Sequence, residues 1–556
     1  MRLLLAGTVA TFTAVGLAAI TPAVITTDEK KAADTIREHR IRADTRFLSS
    51  DLLEGRAPGT RGDALAREYV ASRFEAIGLE PAGPGGSWYQ PVEMVGVTAS
   101  CPKEVRVTSG SVSEMLRFGT DYVAFSGVQA AEARIADAEI VFVGYGIVAP
   151  EYRWDDYKGA DLRGKVLLFM NNDPESDPTL FEGRRRLYYG RWDYKFSKAA
   201  ELGAAGAIII HTDHSAGYNW QVVQSSWSDE QLSLPAADEP TLQVKAWLTE
   251  DASHRIARLG GYDLDGLRAT AQSRDFRPVP LRVRLRLLLK NSTSRRTSAN
   301  VIGRLPGRDP VLGREAVLYT AHHDHLGLRK GPAGEPVVYN GALDDAAGVA
   351  AMLAIAEAFT ALPERPRRSI LFASVTAEES GLLGSETLAR NPPVAPGRLV
   401  ADVNLDGVNI WGRTRDVAVV GLGKSSLDDW IRTIAGAQDR VVVPESFPDK
   451  GSYYRSDHVS FAQIGVPSVY IDVGTEVRGR PSGWGRERQE AWEAANYHQP
   501  TDDLTNDWDL SGAIEDTQLL FLLGAKVADT PLRPSWRPGD EFEAARKKAL
   551  SAIGAQ

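Results

Sequence analysis

The chain has 556 residues, of which 43% are hydrophobic and 25% are charged, and its formal net charge is −9. A chain of this length exceeds what one hydrophobic core holds, so two or more domains are expected. The balance of apolar and charged residues is typical of a soluble globular protein. No dense block of Lys and Arg occurs, and the composition therefore excludes nucleic acid as an expected partner.

The N-terminal residues have a short basic start at Arg2, an apolar run from Leu3 to Ile20, and small residues up to Ala23. This pattern predicts a signal peptide over residues 1–23, and hence a secreted or periplasmic protein. The alternative is an uncleaved membrane anchor, because the apolar run approaches the length of a membrane-spanning helix. The rest of the sequence offers no comparable run, so no stable membrane partner is expected. The single cysteine, Cys101, allows no intrachain disulfide.

Two units are predicted before residue 299, one over residues 28–128 and the other over about 135–285. Residues 28–79 show helical periodicity, and residues 89–128 form short valine-rich runs that indicate strands. A different unit begins near residue 135 and extends to about 285. Its apolar runs at 140–146 and 166–170 are typical of buried strands, and no cluster of metal-ligating residues occurs in it. We therefore interpret it as a folded insertion.

From residue 299 onward, apolar strands alternate with helices. The predicted strands are 316–320, 369–375, 399–405, 417–421 and 467–473, and the clearest helix is 346–361. Such alternation predicts an α/β fold with a mixed, mostly parallel sheet flanked by helices. The charged segment 540–555 predicts a terminal helix.

Most of the acidic and imidazole candidates follow the ends of these predicted strands, and Asp344 lies at the start of the predicted helix. The candidates are His322, Asp344, the pair Glu378 and Glu379, Asp406 and the later His498. Loops at the carboxyl ends of the strands of an open α/β sheet converge on one crevice, so these side chains are expected to meet. Imidazole and carboxylate groups bind zinc or a similar divalent ion, and a carboxylate can bridge two such ions.

Each short motif alone is more often a surface pair or a helix cap than a site. The concentration of motifs changes this, because five of the nine histidines lie between residues 322 and 498. One glutamate of the Glu378–Glu379 pair can bind metal while the other takes a proton. Asp324 can accept the second N–H of His322 and so orient the ring. The weaker candidates, of which at least one is expected to be structural or to support a ligand, are His323, His325 and His458.

These segments together resemble the M28 zinc metallopeptidases. The matching stretches are 321–327, 340–348, 377–381, 404–406, 456–461 and 497–503. The resemblance implies a zinc exopeptidase fold with two zinc ions, whose ligands would be His322, Asp344, Glu379, Asp406 and His498. It also implies that Asp344 bridges the ions, that Glu378 is the general base and that Tyr497 hydrogen-bonds the oxyanion. A cis peptide between Asp344 and Asp345 is part of the same expectation.

The middle segment resembles a protease-associated domain, on the stretches 144–146, 154–157, 164–166 and 198–207. Such domains shape access to the active site of several members of the family. The predicted divisions of the chain are a signal peptide at 1–23, an N-terminal part of the peptidase domain at 28–134, a protease-associated insertion at 135–285, a catalytic domain at 286–535 and a C-terminal helical tail at 536–556.

The expected function is a secreted dizinc exopeptidase acting on peptides or proteins, with an aminopeptidase preferred. A carboxypeptidase or dipeptidase of the same fold stays open, because the sequence does not place the pocket residues that hold either peptide end. A single-zinc glutaminyl cyclase is disfavoured by the complete set of two-metal ligands. A non-catalytic binding protein of the same architecture is disfavoured because such proteins lose metal ligands, and all five candidates are retained here.

Overall fold

The structure is a computed structural model that describes residues 25–554, apart from 184, 238 and 332. The predicted signal peptide at 1–23 lies outside the described residues. Among the helices described, none is long and apolar enough to cross a membrane. The helices are Thr27–Ala33, Glu38–Leu48, Arg61–Ile77, Trp192–Glu201, Asp213–Ala216, Trp220–Trp227, Glu250–Leu259, Leu264–Thr270, Ala347–Thr360, Leu383–Arg390, Leu427–Ala437, His458–Gln463, Trp484–Asn496, Ser511–Asp529 and Glu543–Gly554.

The C-terminal half of the chain forms a mixed sheet in which parallel pairs dominate. From one edge inward, its strands are Val441–Pro444, Asp416–Val420, Ser468–Asp472, Leu399–Asn404, Ala316–His322, Ser369–Val375 and the end of Val279–Leu305. Only the pairs Asp416–Val420 with Ser468–Asp472 and Ser369–Val375 with Val279–Leu305 are antiparallel within this order. The α/β fold with a mostly parallel sheet is thus confirmed, and the predicted strands fall within two residues of the observed ones.

Both faces of this sheet are covered, which explains why its strands are apolar throughout. Val317 and Tyr319 belong to the core on one face, and Leu318 belongs to the core on the other. The helix Ala347–Thr360 lies in the first core, and 12 of its 14 residues are buried. A helix that is apolar on every side must be enclosed, and it packs between the sheet and the helices Glu38–Leu48 and Ser511–Asp529.

One strand of 27 residues, Val279–Leu305, connects the two halves of the molecule. Its first part pairs with Glu132–Phe142, its middle with Tyr89–Ser100, and its end with Ser369–Val375, all antiparallel. The boundary predicted between residues 285 and 286 therefore falls inside a continuous strand.

The middle segment has its own parallel strands and its own core. Four of its strands pair in parallel, in the order Glu132–Phe142, Val166–Met170, Gly206–His211 and Val244–Thr249. The strand Tyr122–Ser126 pairs antiparallel with Val244–Thr249 at the edge. The remaining strands of the molecule are Glu80–Pro81, Glu104–Ser109, Val112–Arg117, Val148–Ala149, Trp154–Asp155, Gln231–Ser233, Gly327–Lys330 and Pro336–Tyr339. The segment reaches the C-terminal half where Arg185 Nε lies 2.9 Å from Glu445 Oε1 and the ring of Tyr188 packs against Tyr454.

Candidate metal centre

The first group of ligand-type atoms is built around His322, the last residue of the strand Ala316–His322. Its Nε2 atom lies 3.2 Å from Asp344 Oδ1 and 3.6 Å from Asp406 Oδ1. Asp406 follows the neighbouring parallel strand Leu399–Asn404, so the two side chains meet at the carboxyl edge of the sheet. The three residues offer ligand atoms that all lie within 4.8 Å of one another.

A second group uses the other oxygen of Asp344. His498 Nε2 lies 3.2 Å from Asp344 Oδ2 and 3.0 Å from Glu379 Oε2. His325 Nδ1 lies 2.6 Å from Glu379 Oε1, and His325, Asp344 and Glu379 also offer ligand atoms within 4.8 Å of one another. The structure therefore brings together all five residues predicted as ligands, with Asp344 between two groups. His325, a weaker candidate from the sequence, lies in the second group.

Asp344 is fixed by its own backbone. It stands in a tight turn before the helix Ala347–Thr360, and the Asp344–Asp345 peptide is cis, as the resemblance led us to expect. The carboxylate of Asp502 accepts hydrogen bonds from the N–H groups of Leu343 and Asp344, at 2.9 and 3.1 Å. Asp345 accepts a hydrogen bond from Gly407 N–H at 2.7 Å, which joins this turn to the loop that carries Asp406.

Asp324 contacts more of the centre than its predicted role requires. Its carboxylate accepts hydrogen bonds from the N–H groups of Glu378 and Glu379, at 3.1 and 3.4 Å. Its Oδ1 atom lies 3.7 Å from His322 Nδ1, while the main-chain oxygen of Asp324 lies closer to that nitrogen, at 3.2 Å. The carboxylate of Asp324 thus holds the main chain of the glutamate pair, and the main-chain oxygen of Asp324 makes the closer contact with the imidazole of His322.

Sequence reasoning missed Arg56, which lies directly behind the centre and is fully buried. Its guanidinium donates hydrogen bonds only to main-chain oxygens: His323 O at 2.7 Å, Asn340 O at 2.6 Å, Gly341 O at 2.9 Å and Leu48 O. Burial lowers the pKa of Arg56 to about 10, against the opposing influence of nearby carboxylates such as Asp324 and Asp502. The only sequence signal was its place in the break between two N-terminal helices.

The electrostatics of the centre suit a divalent cation. Burial raises the pKa of Glu378 well above its usual value, and the charges of Glu379 and Asp406 add to this effect while His322 opposes it. Burial alone would lower the pKa of His322, but the surrounding carboxylates, Glu378 first among them, raise it well above its usual value. Among the described residues, His322 Nε2, His325 Nε2 and Glu379 Oε1 are buried and make no well-aligned hydrogen bond, although His322 Nε2 and Glu379 Oε1 each have a ligand-type atom within 3.2 Å. Imidazole nitrogens and carboxylate oxygens left in this way fit a bound metal ion.

A pocket of about 260 Å³ opens beside the centre. Asp344, Glu378, Asp406 and Tyr497 form part of its lining. Tyr497 is 37% exposed, and its ring stacks on His498 with the ring centroids 3.9 Å apart. All of the predicted site residues therefore lie at or next to one pocket.

The chain is similar to known peptidases over part of its length. Residues 300–522 match Peptidase family M28. Leupeptin-inactivating enzyme 1 of Streptomyces exfoliatus is 26% identical over 256 residues, which are 45% of this chain and 53% of that protein. A vacuolar membrane protease of Yarrowia lipolytica is 33% identical over 114 residues, 20% of this chain and 10% of that protein. The chain thus spans about half of one curated relative and about a tenth of the other.

Among solved structures, an aminopeptidase from Aneurinibacillus sp. strain AM-1 is similar, with 19% identity and a TM-score of 0.49. The match covers 92% of this chain and 98% of that one. The match over residues 300–522 agrees with the family resemblance expected from the sequence, and this part of the chain is similar to peptidase family M28.

Proposed function

We propose that the chain is a zinc-dependent exopeptidase that releases N-terminal residues from peptides. The observation that carries this proposal is the position of Asp344, whose two oxygens face two separate groups of ligand-type side chains. A carboxylate placed in this way suits the bridge of a two-metal site. The match of residues 300–522 to a peptidase family supports the peptide bond as the bond that is hydrolysed.

In this proposal His322, Asp344 and Asp406 would hold one zinc ion, and Asp344, Glu379 and His498 would hold the other. When bound, the two ions would supply Lewis-acid polarisation of the scissile carbonyl and lower the pKa of a water molecule. The distances of 3.0–3.6 Å between neighbouring ligand atoms match the approach of side chains to a shared cation.

Glu378 is proposed as the general base. Its carboxylate lines the pocket and lies 4.0 Å from His322 Nε2, and it belongs to neither group of ligand atoms within 4.8 Å. Burial raises the pKa of Glu378 well above its usual value, which brings its proton affinity closer to that needed at neutral pH. Glu378 would take the proton of the attacking water and deliver it to the leaving amine.

Asp324 and Tyr497 are proposed as supporting catalytic residues. Asp324 holds the main chain of Glu378 and Glu379 and lies against the ring of His322. Tyr497 lines the pocket beside His498, where its hydroxyl can donate a hydrogen bond to the oxyanion that forms from the carbonyl.

For the rest of the chain, we propose that residues 135–285 are a protease-associated domain inserted between 28–134 and 286–535, and that 536–556 is a helical tail. The contact of Arg185 with Glu445 places the middle segment near the pocket residue Phe447, which supports a role in access to the site. We also propose export through the signal sequence at 1–23. N-terminal sequencing of protein recovered outside the producing cell would test export directly.

The experiment for the enzymatic proposal combines elemental analysis with a substrate panel. Purified protein is expected to contain two zinc ions per chain and to hydrolyse aminoacyl substrates with a free amine, but not the same substrates with a blocked amine. Cleavage of only the blocked substrates would contradict the aminopeptidase proposal and favour a carboxypeptidase. Protein without zinc and without turnover after zinc reconstitution would contradict an enzymatic function.

A further inference from the structure

The pocket beside the metal centre is lined by groups of both charges. Asp344, Glu378 and Asp406 contribute carboxylates, while Lys450 and Arg455 contribute positive charge. Its volume of about 260 Å³ lies below the range of about 300–1,000 Å³ that is usual for drug-sized ligands. A small pocket that carries both charges is suited to the end of a peptide or to a short peptide that is itself charged.

The two cations of the lining differ in what they contact. Lys450 Nζ lies 2.5 Å from a carboxylate oxygen of Glu493 and 4.5 Å from the centre of the Phe447 ring. Its charge is therefore already balanced by an acidic neighbour. Arg455 has no such neighbour: within the part of the chain that the structure describes, no carboxylate oxygen lies within 4.0 Å of its guanidinium.

Arg455 is also free to contact a ligand. The residue is exposed, and among the described residues its guanidinium makes no hydrogen bond. Charge interactions with Tyr497, and further with Tyr218 and Glu378, raise the pKa of Arg455, which keeps it a permanent cation close to the catalytic carboxylate. The planar guanidinium matches the two oxygens of a carboxylate better than any other side chain does.

The backbone that presents Arg455 is anchored on both sides. The hydroxyl of Tyr454 donates a hydrogen bond to Glu541 Oε1 at 2.6 Å. Ser456 Oγ accepts a hydrogen bond from the side chain of Asn404 at 2.7 Å. A cation on a rigid segment loses little conformational entropy when it binds, apart from that of its own side chain.

A second arginine, Arg186 of the middle segment, contacts the turn near Pro448 and Gly451, which is next to the pocket residue Lys450. The Arg186 N–H donates a hydrogen bond to Pro448 O at 3.0 Å, and its side chain covers Gly451, where a Cβ atom would lie 3.1 Å from Arg186 Cδ. The guanidinium of Arg186 donates a hydrogen bond to Ser215 O at 2.8 Å, and the nearby charges of Asp173 and Arg455 both act on it.

We propose that Arg455 binds a carboxylate of the peptide substrate close to the scissile bond. This inference rests on the proposed peptidase function and names its substrate class: short peptides with a free C-terminal carboxylate, or peptides with an acidic residue after the scissile bond. The acidic groups of the pocket attract the free amine of such a peptide, and Arg455 attracts its carboxylate. The opposite charges then fix the direction in which the peptide lies.

The test measures kcat/KM of the full zinc-loaded chain on leucyl-glycine, leucyl-glycinamide, leucyl-glutamic acid amide and leucyl-glutamine amide. Hydrogen bonds to charged groups contribute enough to predict a preference of about 10- to 100-fold for the charged member of one pair. A preference for leucyl-glycine over its amide would show that Arg455 binds the C-terminal carboxylate. A preference for the glutamic acid peptide over the glutamine peptide would show that Arg455 binds the acidic side chain.

Arg455→Gln is expected to remove this preference, so that the charged and the neutral peptide of the pair are hydrolysed with equal kcat/KM. Arg455→Lys should retain part of it, because a lysine keeps the charge without the planar fork. The matched control is Arg432→Gln, an exposed arginine on the helix Leu427–Ala437 outside the pocket lining, which should change neither rate. Equal rates on charged and neutral peptides, or a preference that persists in Arg455→Gln, would overturn the carboxylate site alone. No hydrolysis of any of the four peptides would overturn the peptidase proposal and this site with it.

Discussion

His325 Nδ1 lies 2.6 Å from Glu379 Oε1, and both side chains are buried. The ring of His325 also meets His498 edge to face, with the centroids 5.9 Å apart. Space for this ring depends on Gly341, where a Cβ atom would lie 2.4 Å from His325 Cγ. The imidazole of His325 is therefore built into the second group of ligand atoms, although it is not one of the five residues proposed as ligands.

His325→Leu is expected to lower the affinity of the chain for one zinc ion and to leave the affinity for the other unchanged. Loss of the contact frees the Glu379 carboxylate to turn, and groups that orient a ligand typically contribute about 10- to 100-fold to metal affinity. His322 and Asp406 belong to the other group of ligand atoms, which does not include His325. The measurement is zinc bound per chain across a series of zinc buffers.

The control for this variant is His254→Leu, on the helix Glu250–Leu259, where the histidine lies 3.6 Å from Asp265 in the middle segment. It should bind both ions as the native protein does. If His325→Leu bound both zinc ions with native affinity, the orientation of Glu379 would not depend on His325.

Arg56→Met is expected to lower both the free energy of unfolding and the affinity for zinc. The substitution leaves four main-chain oxygens without their donor, and those of His323 and Gly341 belong to the segments that carry His322 and Asp344, so the positions of these two side chains are expected to shift. Loss of one member of a buried charged cluster typically costs about 3–5 kcal/mol. Urea unfolding and zinc titration together measure the two effects.

Arg56→Lys should recover part of the stability, because lysine keeps the charge but cannot reach all four oxygens. Arg61→Met, at an arginine whose side chain is 72% exposed, should change neither quantity. Native zinc affinity in Arg56→Met at a temperature where it stays folded would restrict Arg56 to a purely structural role.

Glu378→Gln is expected to remove turnover and to retain two zinc ions. General acid–base catalysis typically contributes about 10²- to 10⁴-fold, so kcat should fall by that factor. Steady-state kinetics and elemental analysis on the same preparation measure both properties. Glu386→Gln, at an exposed glutamate that pairs with Arg390, is the control and should be fully active. An inactive Glu378→Gln protein that has lost zinc would move Glu378 into the ligand set.

The sequence predicts much of the C-terminal sheet and the residues that meet at its edge, because apolar runs mark the strands and polar residues follow their ends. It does not reveal Arg56, since the partners of this side chain are main-chain oxygens, three of them more than 260 residues away. Main-chain oxygens occur at every residue and leave no pattern. The strand Val279–Leu305 is hidden because residues 290–298 in its middle, which pair with Tyr89–Ser100, have no apolar side chains to mark them as a strand.

Asp402→Asn is expected to make the protein less sensitive to rising pH. Asp402 is fully buried on the strand Leu399–Asn404, Thr320 Oγ1 donates a hydrogen bond to its Oδ1 at 3.1 Å, and among the described residues its Oδ2 has no hydrogen-bond partner. Burial raises the pKa of Asp402 to about 8. The folded chain therefore keeps a proton there that the unfolded chain releases near pH 4.

Because the unfolded state binds fewer protons between about pH 4 and pH 8, the contribution of Asp402 to stability is fully present below about pH 4 and is lost as the pH rises toward 8. The loss is at most about 1.4 kcal/mol per pH unit. Asparagine does not titrate, so the stability of Asp402→Asn relative to the native protein should increase from pH 5 to pH 8. Urea unfolding at the two pH values measures this difference, with the exposed Asp507→Asn as the control. A difference that is the same at both pH values would show that Asp402 ionises in the folded chain as readily as in the unfolded one.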